Sequence, residues 1–175
     1  MNVLIAYSTK YGTVKTCVSR LQGALQGLDV SAVCLEDGTP DLTPYDIVIL
    51  GGSVAFGKFR PALRDFLKKN EDALCQKPLG LFFCCGLTHE NEYYMEKLFS
   101  KKLRDAAFAS IYFGGVLKIA NASLFDRFVL HSMRSSILES EIDDGEYTPT
   151  LPCILPENID RLATYVREEV RRIIG

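Results

Sequence analysis

Val3-Leu4-Ile5-Ala6-Tyr7, followed at once by Ser8-Thr9-Lys10-Tyr11-Gly12-Thr13, is the stretch whose reading decides the fold. The apolar run reads as a strand. The hydroxyl-rich turn after it leads straight into Val14, Cys17, Val18, Leu21 and Leu25, which recur at helical spacing on one face. A helix start leaves its first amide protons unpaired and carries a partial positive charge. A turn of Ser, Thr and Gly there can therefore surround an anion with backbone and hydroxyl donors, and the expected ligand is a phosphorylated small molecule. The same residues also suit an ordinary strand-turn-helix corner capped by Thr13. The turn alone leaves both readings open.

Composition narrows the class. A chain of 175 residues that is 47% hydrophobic and has no low-complexity tract suits one compact domain, spanning 1–175, and gives no reason to expect a second. The net charge of -2 supplies no basic patch for nucleic acid, so no nucleic-acid partner is expected. No apolar run approaches the ~20 residues of a membrane-spanning helix. A chain that opens on a strand is expected to lack a signal peptide. Cys17, Cys34, Cys75, Cys84, Cys85 and Cys153 form no C-x-x-C pair and mostly sit inside apolar segments. They read as reduced thiols of a cytoplasmic protein, with neither zinc nor an iron-sulfur cluster expected.

Outward from the first strand, apolar runs recur at Val30 to Leu35, Ile47 to Leu50, Leu79 to Cys84 and Ile111 to Phe113. Several are apolar throughout, as strands are when helices cover both faces of a sheet. Helical patterns lie between them: Pro61 through Leu63, Phe66 and Leu67; Tyr94, Met95, Leu98, Phe99 and Leu103; and Ile159, Leu162, Ala163, Val166, Val170 and Ile173, with Pro156 near the start of the last. The expectation is an α/β, doubly wound sheet of five parallel strands, with helices on both faces. Such a sheet binds ligands beyond the carboxyl ends of its strands. The loops at those ends are therefore informative: the Ser/Thr turn after the first strand, Gly51-Gly52-Ser53-Val54-Ala55-Phe56-Gly57 after the third, and Cys85-Gly86-Leu87-Thr88-His89-Glu90 after the fourth. The acidic residues of a receiver domain are missing. So are the G-x-G-x-x-G and G-x-x-x-x-G-K-[ST] fingerprints of dinucleotide and triphosphate sites.

These loops resemble those of the flavodoxin family. Tyr7 to Thr13 is similar to its FMN phosphate loop. Gly51 to Gly57 is similar to its second flavin loop, where Phe56-Gly57 stands in the place of an aromatic residue and Gly beside the isoalloxazine ring. The resemblance extends over the whole chain and implies the strand order 2-1-3-4-5. More narrowly, Gly51 to Phe59, Pro61 to Lys69 and Phe125-Asp126-Arg127-Phe128 resemble the flavodoxin-like protoporphyrinogen oxidases that pass electrons to menaquinone.

The resemblance implies FMN as cofactor, held by Ser8, Thr9, Lys10, Tyr11, Gly12 and Thr13 at the phosphate, and by Ser53, Val54, Ala55, Phe56, Gly57, Cys85, Gly86, Leu87 and Thr88 around the ring. Phe56 would pack on the flavin, and Gly57, which tolerates positive φ, would let its peptide turn over as the flavin is reduced. One position departs from the pattern. The family usually places another Thr where this chain has Val14. A hydrogen bond to an anion is worth about 1.5–3 kcal/mol, so its loss corresponds to roughly one to two powers of ten in affinity. Tyr93 or Tyr94 is a candidate cover for the ring, and simple packing is the competing reading.

Other chemistry-bearing residues carry less. His89 reads as a solvated loop residue, His131 as part of an amphipathic segment, Cys84-Cys85 as two buried thiols, and Asp143, Asp144 and Glu146 as solvated acids without the ligand spacing of an EF-hand. No catalytic acid, base or metal ligand is nominated. Residues 116–155 form an insertion after the fifth strand that is too long for an ordinary connection. In it Phe125, Phe128, Val129, Met133 and Ile137 share one helical side, with Lys118, Arg127, His131 and Arg134 supplying positive or titratable groups. An extra helix packed on the sheet is the plain reading. An exposed face would instead admit a quinone, grip a porphyrin or rest on the inner face of a membrane through residues 116–140. Two functions stay open: an FMN-dependent oxidoreductase moving electrons from a reduced substrate such as a porphyrinogen to a quinone, or an electron carrier that meets a redox partner protein and has no small-molecule substrate.

Overall fold

The computed structural model describes residues 1–86, 91–115 and 153–175. Leu87, Thr88, His89, the insertion's candidate residues from Lys118 to Ile137, and Asp143, Asp144 and Glu146 lie outside them. The described elements are β1 (Asn2–Ser8), α1 (Thr13–Ala24), β2 (Asp29–Cys34), β3 (Ile47–Ala55), β4 (Lys58–Phe59), α2 (Pro61–Cys75), β5 (Leu79–Cys84), α3 (Asn91–Leu98), α4 (Lys101–Ala106), β6 (Ala107–Tyr112) and α5 (Pro156–Ile174).

β1 is apolar from Val3 to Tyr7 because it is sandwiched from both sides. Val3, Ile5 and Tyr7 point into a core shared with Val14, Cys17, Val18 and Leu21 of α1 and with Ile159, Leu162, Ala163 and Val166 of α5. Leu4 and Ala6 point the other way, toward Leu63, Phe66 and Leu67 of α2, Tyr94 of α3 and Leu103 of α4. Alternation with period two thus fills two cores at once, one on each face of the sheet. β1 pairs in parallel with β2 and β3, β3 with β5, and β5 with β6, giving the order β2-β1-β3-β5-β6. This is the flavodoxin-like order expected for five parallel strands. The two-residue β4 folds back antiparallel on β3 and makes the sheet six-stranded.

Three boundaries differ from the sequence reading. β3 runs on past Leu50 through Gly51 and Gly52, which the sequence suggests as a loop. A Cβ on Gly51 would stand 2.3 Å from the Phe82 carbonyl oxygen, and one on Gly52 would stand 2.9 Å from Leu63 Cδ2. These glycines permit close approach within the sheet and do not form a turn. The helix expected through Leu103 is broken at Ser100, whose hydroxyl accepts the Leu103 amide at 3.2 Å and starts α4 afresh. β6 begins at Ala107 rather than Ile111, because an edge strand hides little and its Ala-rich start carries no strand pattern. Among the described residues no helix is long and apolar enough to cross a membrane.

Candidate functional site

Register brings the three loops to one edge. Ser8 lies beside Gly52, Ser53 beside Cys84, and Phe83 beside Tyr112, so parallel neighbours end level with one another. The first loop closes on itself: the Gly12 amide donates to Thr9 Oγ1 at 3.2 Å, and Gly12 takes φ +83° as the N-cap of α1. No side chain caps that helix. The amides of its first turn are therefore not consumed by a capping hydroxyl, which is the condition for receiving an anion. Thr13 and Val14 are both buried, and the Val14 side chain belongs to the core with Val3 and Ile5. The Lys10 ammonium lies over the Tyr11 ring, 4.9 Å from its centre.

Ser53, Val54 and Ala55 continue β3 outward, and pairing of Val54 with Phe59 and Ala55 with Lys58 leaves Phe56-Gly57 as a two-residue turn. Its central residues have φ +51° and +70°. A tight turn of this handedness requires positive φ at both positions, which suits Gly57 and strains Phe56 by roughly 1–2 kcal/mol. Phe56 is the one non-glycine residue with positive φ among the described residues, and 53% of it is exposed. A large apolar ring is thus held out in solvent by a conformation it disfavours. Backbone strain of this kind concentrates at binding sites.

α3 flanks this turn. A Cβ on Gly57 would lie 2.9 Å from Lys97 Nζ, and Lys97 donates to the Tyr93 hydroxyl at 3.1 Å. Of the two candidate tyrosines, Tyr94 is buried against Phe83, whereas Tyr93 is 53% exposed. After β5, the Cys85 amide donates to the Gly114 carbonyl at 3.0 Å, and the Cys85 carbonyl accepts the Tyr112 hydroxyl at 2.7 Å. Gly86 comes next, half-buried. Cys84, the last residue of β5, and Cys85, just past it, face opposite cores. Cys84 donates to Cys17 Sγ at 3.8 Å, and this bond together with burial holds the Cys84 thiol well above its usual range. All six cysteines are free thiols.

The insertion leaves and returns at this same edge. The Gly115 amide donates to the Cys153 carbonyl and the Leu155 amide to the Phe113 carbonyl, each at 2.9 Å, and Gly114 bridges to Ile154. A Cβ on Gly115 would stand 2.4 Å from the Cys85 carbonyl, which packs the root of the insertion against the third loop.

Glu36 and Arg60 escaped the sequence reading. Glu36 lies just past β2, and its carboxylate accepts Ser8 Oγ at 2.9 Å, the Thr9 amide at 3.4 Å, Cys34 Sγ at 3.2 Å and Arg60 Nε at 2.7 Å. Burial pushes its pKa up, but the hydrogen bonds from Arg60, Cys34, Ser8 and Thr9 outweigh burial and hold it below the usual carboxylate range. The available signal was topological. β2 is a neighbour of β1, so an acid just past its end also reaches the first loop.

With this geometry in place, the flavodoxin domain family model matches residues 4–141. The chain belongs to that family. It is 25% identical to the protoporphyrinogen IX dehydrogenase [quinone] of Escherichia coli strain K12 over 182 aligned residues, covering 96% of this chain and 94% of that protein. Among solved structures it is similar to a Fusobacterium nucleatum flavodoxin bound to flavin mononucleotide, with TM-score 0.57 and 13% identity over 96% of this chain and 98% of that one. It is also similar to a short-chain flavodoxin associated with a bacterial microcompartment, with TM-score 0.52 and 14% identity over 97% and 98% of the two chains. A third likeness is to rubredoxin:oxygen oxidoreductase of Desulfovibrio gigas, with TM-score 0.51 and 16% identity over 79% of this chain and 35% of that one. At these identities the solved structures establish the fold. In this chain the Ser8–Thr13 loop and the Phe56-Gly57 turn stand at the carboxyl edge of the sheet.

Proposed function

We propose that this protein is an FMN-dependent oxidoreductase that takes electrons from a reduced substrate of the porphyrinogen class and delivers them to a quinone. The observation that carries the reading is Phe56, an exposed aromatic ring held at positive φ beside Gly57, on the same edge as an uncapped helix start. One end of such a site suits a phosphate and the other a flat ring, which is the outline of FMN. The similarity to a quinone-linked protoporphyrinogen dehydrogenase along nearly the whole chain supports the choice of substrate and acceptor.

When bound, FMN supplies a centre that accepts electrons from one partner and passes them to another. The chain's residues do the rest. The Thr13 and Val14 amides of the uncapped first turn, with the Thr13 hydroxyl, would hold the phosphate at the helix start. Phe56, exposed at the turn, would pack against the ring and keep water from one face. Gly57 presents a peptide group whose reorientation costs little because it lacks a side chain. Lys97, beside Gly57, offers a positive charge at the same turn.

The visible spectrum of freshly purified protein is the first test. A colourless chain that also failed to take up added FMN would end the proposal. Anaerobic reduction, then addition of protoporphyrinogen and a menaquinone analogue, is the second. Turnover supports the enzyme, whereas reversible reduction with electron delivery only to another redox protein would make it a carrier.

A further inference from the structure

Glu36 stands where an anion-binding loop least needs a carboxylate. Two donors of the first loop, Ser8 Oγ and the Thr9 amide, are already turned toward it. Asp37 comes next in the chain, so the neighbourhood of the loop would be doubly negative without compensation. Compensation comes from Arg60, whose Nε lies 2.7 Å from Glu36 Oε1. Arg60 is not on a free loop. It comes directly after β4 of the hairpin that carries Phe56 and is the N-cap of α2, just ahead of Pro61, so its backbone is fixed from both sides. The pair is only partly accessible, with side chains 33% and 23% exposed, and is therefore less screened than a surface ion pair.

We propose that Arg60 is the charge-compensating, positioning residue of the phosphate loop: by neutralising Glu36 it allows a carboxylate to fix Ser8 and Thr9 and a phosphate dianion to sit beside them. The inference rests on residues 8–13 being the phosphate loop of the proposed function. Its physical basis is a balance of charges. Like charges a few ångströms apart at a partly exposed, screened site oppose binding by about tenfold, and neutralising one of them removes that barrier. Arg also retains free guanidinium donors when only its Nε is engaged. The same cluster ties the phosphate end of the site to the hairpin at the ring end.

The test compares FMN with riboflavin, which carries the same ring without the phosphate, by fluorescence titration of the full chain at low and high salt. Arg60→Gln is expected to weaken FMN about tenfold and to leave riboflavin within twofold, with the difference shrinking at high salt. Arg60→Lys, which keeps the charge, and the double variant Glu36→Gln/Arg60→Gln, which removes both charges, are each expected to recover FMN to within a few-fold of wild type. Equal loss of both flavins would mark Arg60 as merely structural and overturn the inference. So would an unchanged FMN affinity, or a double variant no better than Arg60→Gln. A wild-type chain that bound flavin without preferring FMN over riboflavin would instead sink the phosphate-loop reading, on which the inference depends.

Discussion

Phe56 pairs a local backbone cost with a ring left 53% exposed. Phe56→Gly relieves the left-handed strain and gives back part of that gain as unfolded-state entropy. Stability is therefore expected to rise by about 0.5–1 kcal/mol, while FMN affinity falls roughly tenfold through loss of the stacked ring. Thermal melting and flavin titration read the two effects separately. Phe56→Ala is the control that keeps the strain and loses the ring. Glu36 couples folding to protons. The folded chain holds its pKa below the usual value of 4.5, so as acid is added the unfolded chain takes up the proton first. The stability it contributes is complete above that value and is lost as pH falls through the lower folded one. Urea midpoints measured from about pH 6 down to about pH 3.5 should drop on acidification, and Glu36→Gln should make that drop shallower. Neither effect is written in the local sequence. Phe56-Gly57 was legible as a motif, but its strain is set by the Ala55–Lys58 pairing, and Glu36 meets Ser8 only because β2 lies next to β1.

At the scale of elements, the described chain is interrupted between Gly115 and Cys153. Those two residues are already joined by a hydrogen bond of 2.9 Å, so closing the gap needs only a short flexible linker. Replacing residues 116–152 by a short Gly-Ser linker is expected to leave a folded chain that still binds FMN, and to abolish turnover with quinone. Loss of flavin binding along with activity would assign that segment a structural role. The periodic elements were the legible ones. α1, α2 and α5 announced themselves because each buries one stripe, and β1 and β5 because both of their faces are covered. The start of β6 at Ala107 and the break at Ser100 were not, since the beginning of an edge strand and a helix cap depend on what stands opposite them.

Across the whole molecule, two cores share one sheet, and Gly51 in its central strand leaves no room for a side chain. Phe82 lies across Gly51 and stacks on Phe113, with ring centres 4.6 Å apart. Gly51→Ala would force a Cβ to within 2.3 Å of a backbone oxygen in a paired strand, where nothing can yield cheaply. The expected cost is about 3 kcal/mol or more, read as a fall in the denaturation midpoint with FMN present or absent. Gly12→Ala meets no atom within 4 Å, so only its positive φ is penalised, at about 1–2 kcal/mol. The sequence by itself determined the class of fold, the strands buried on both faces, the helix stripes and the two loops at the carboxyl edge. All of these come from hydrophobic period and local turn chemistry, which act over a few residues. Only the tertiary structure decided that Gly51 and Gly52 are strand, that Phe56 is strained and exposed, and that Glu36 and Arg60 join the first loop to the hairpin. Those features arise from strand order and register, which bring together residues far apart in the chain, and no local pattern encodes which neighbours will meet.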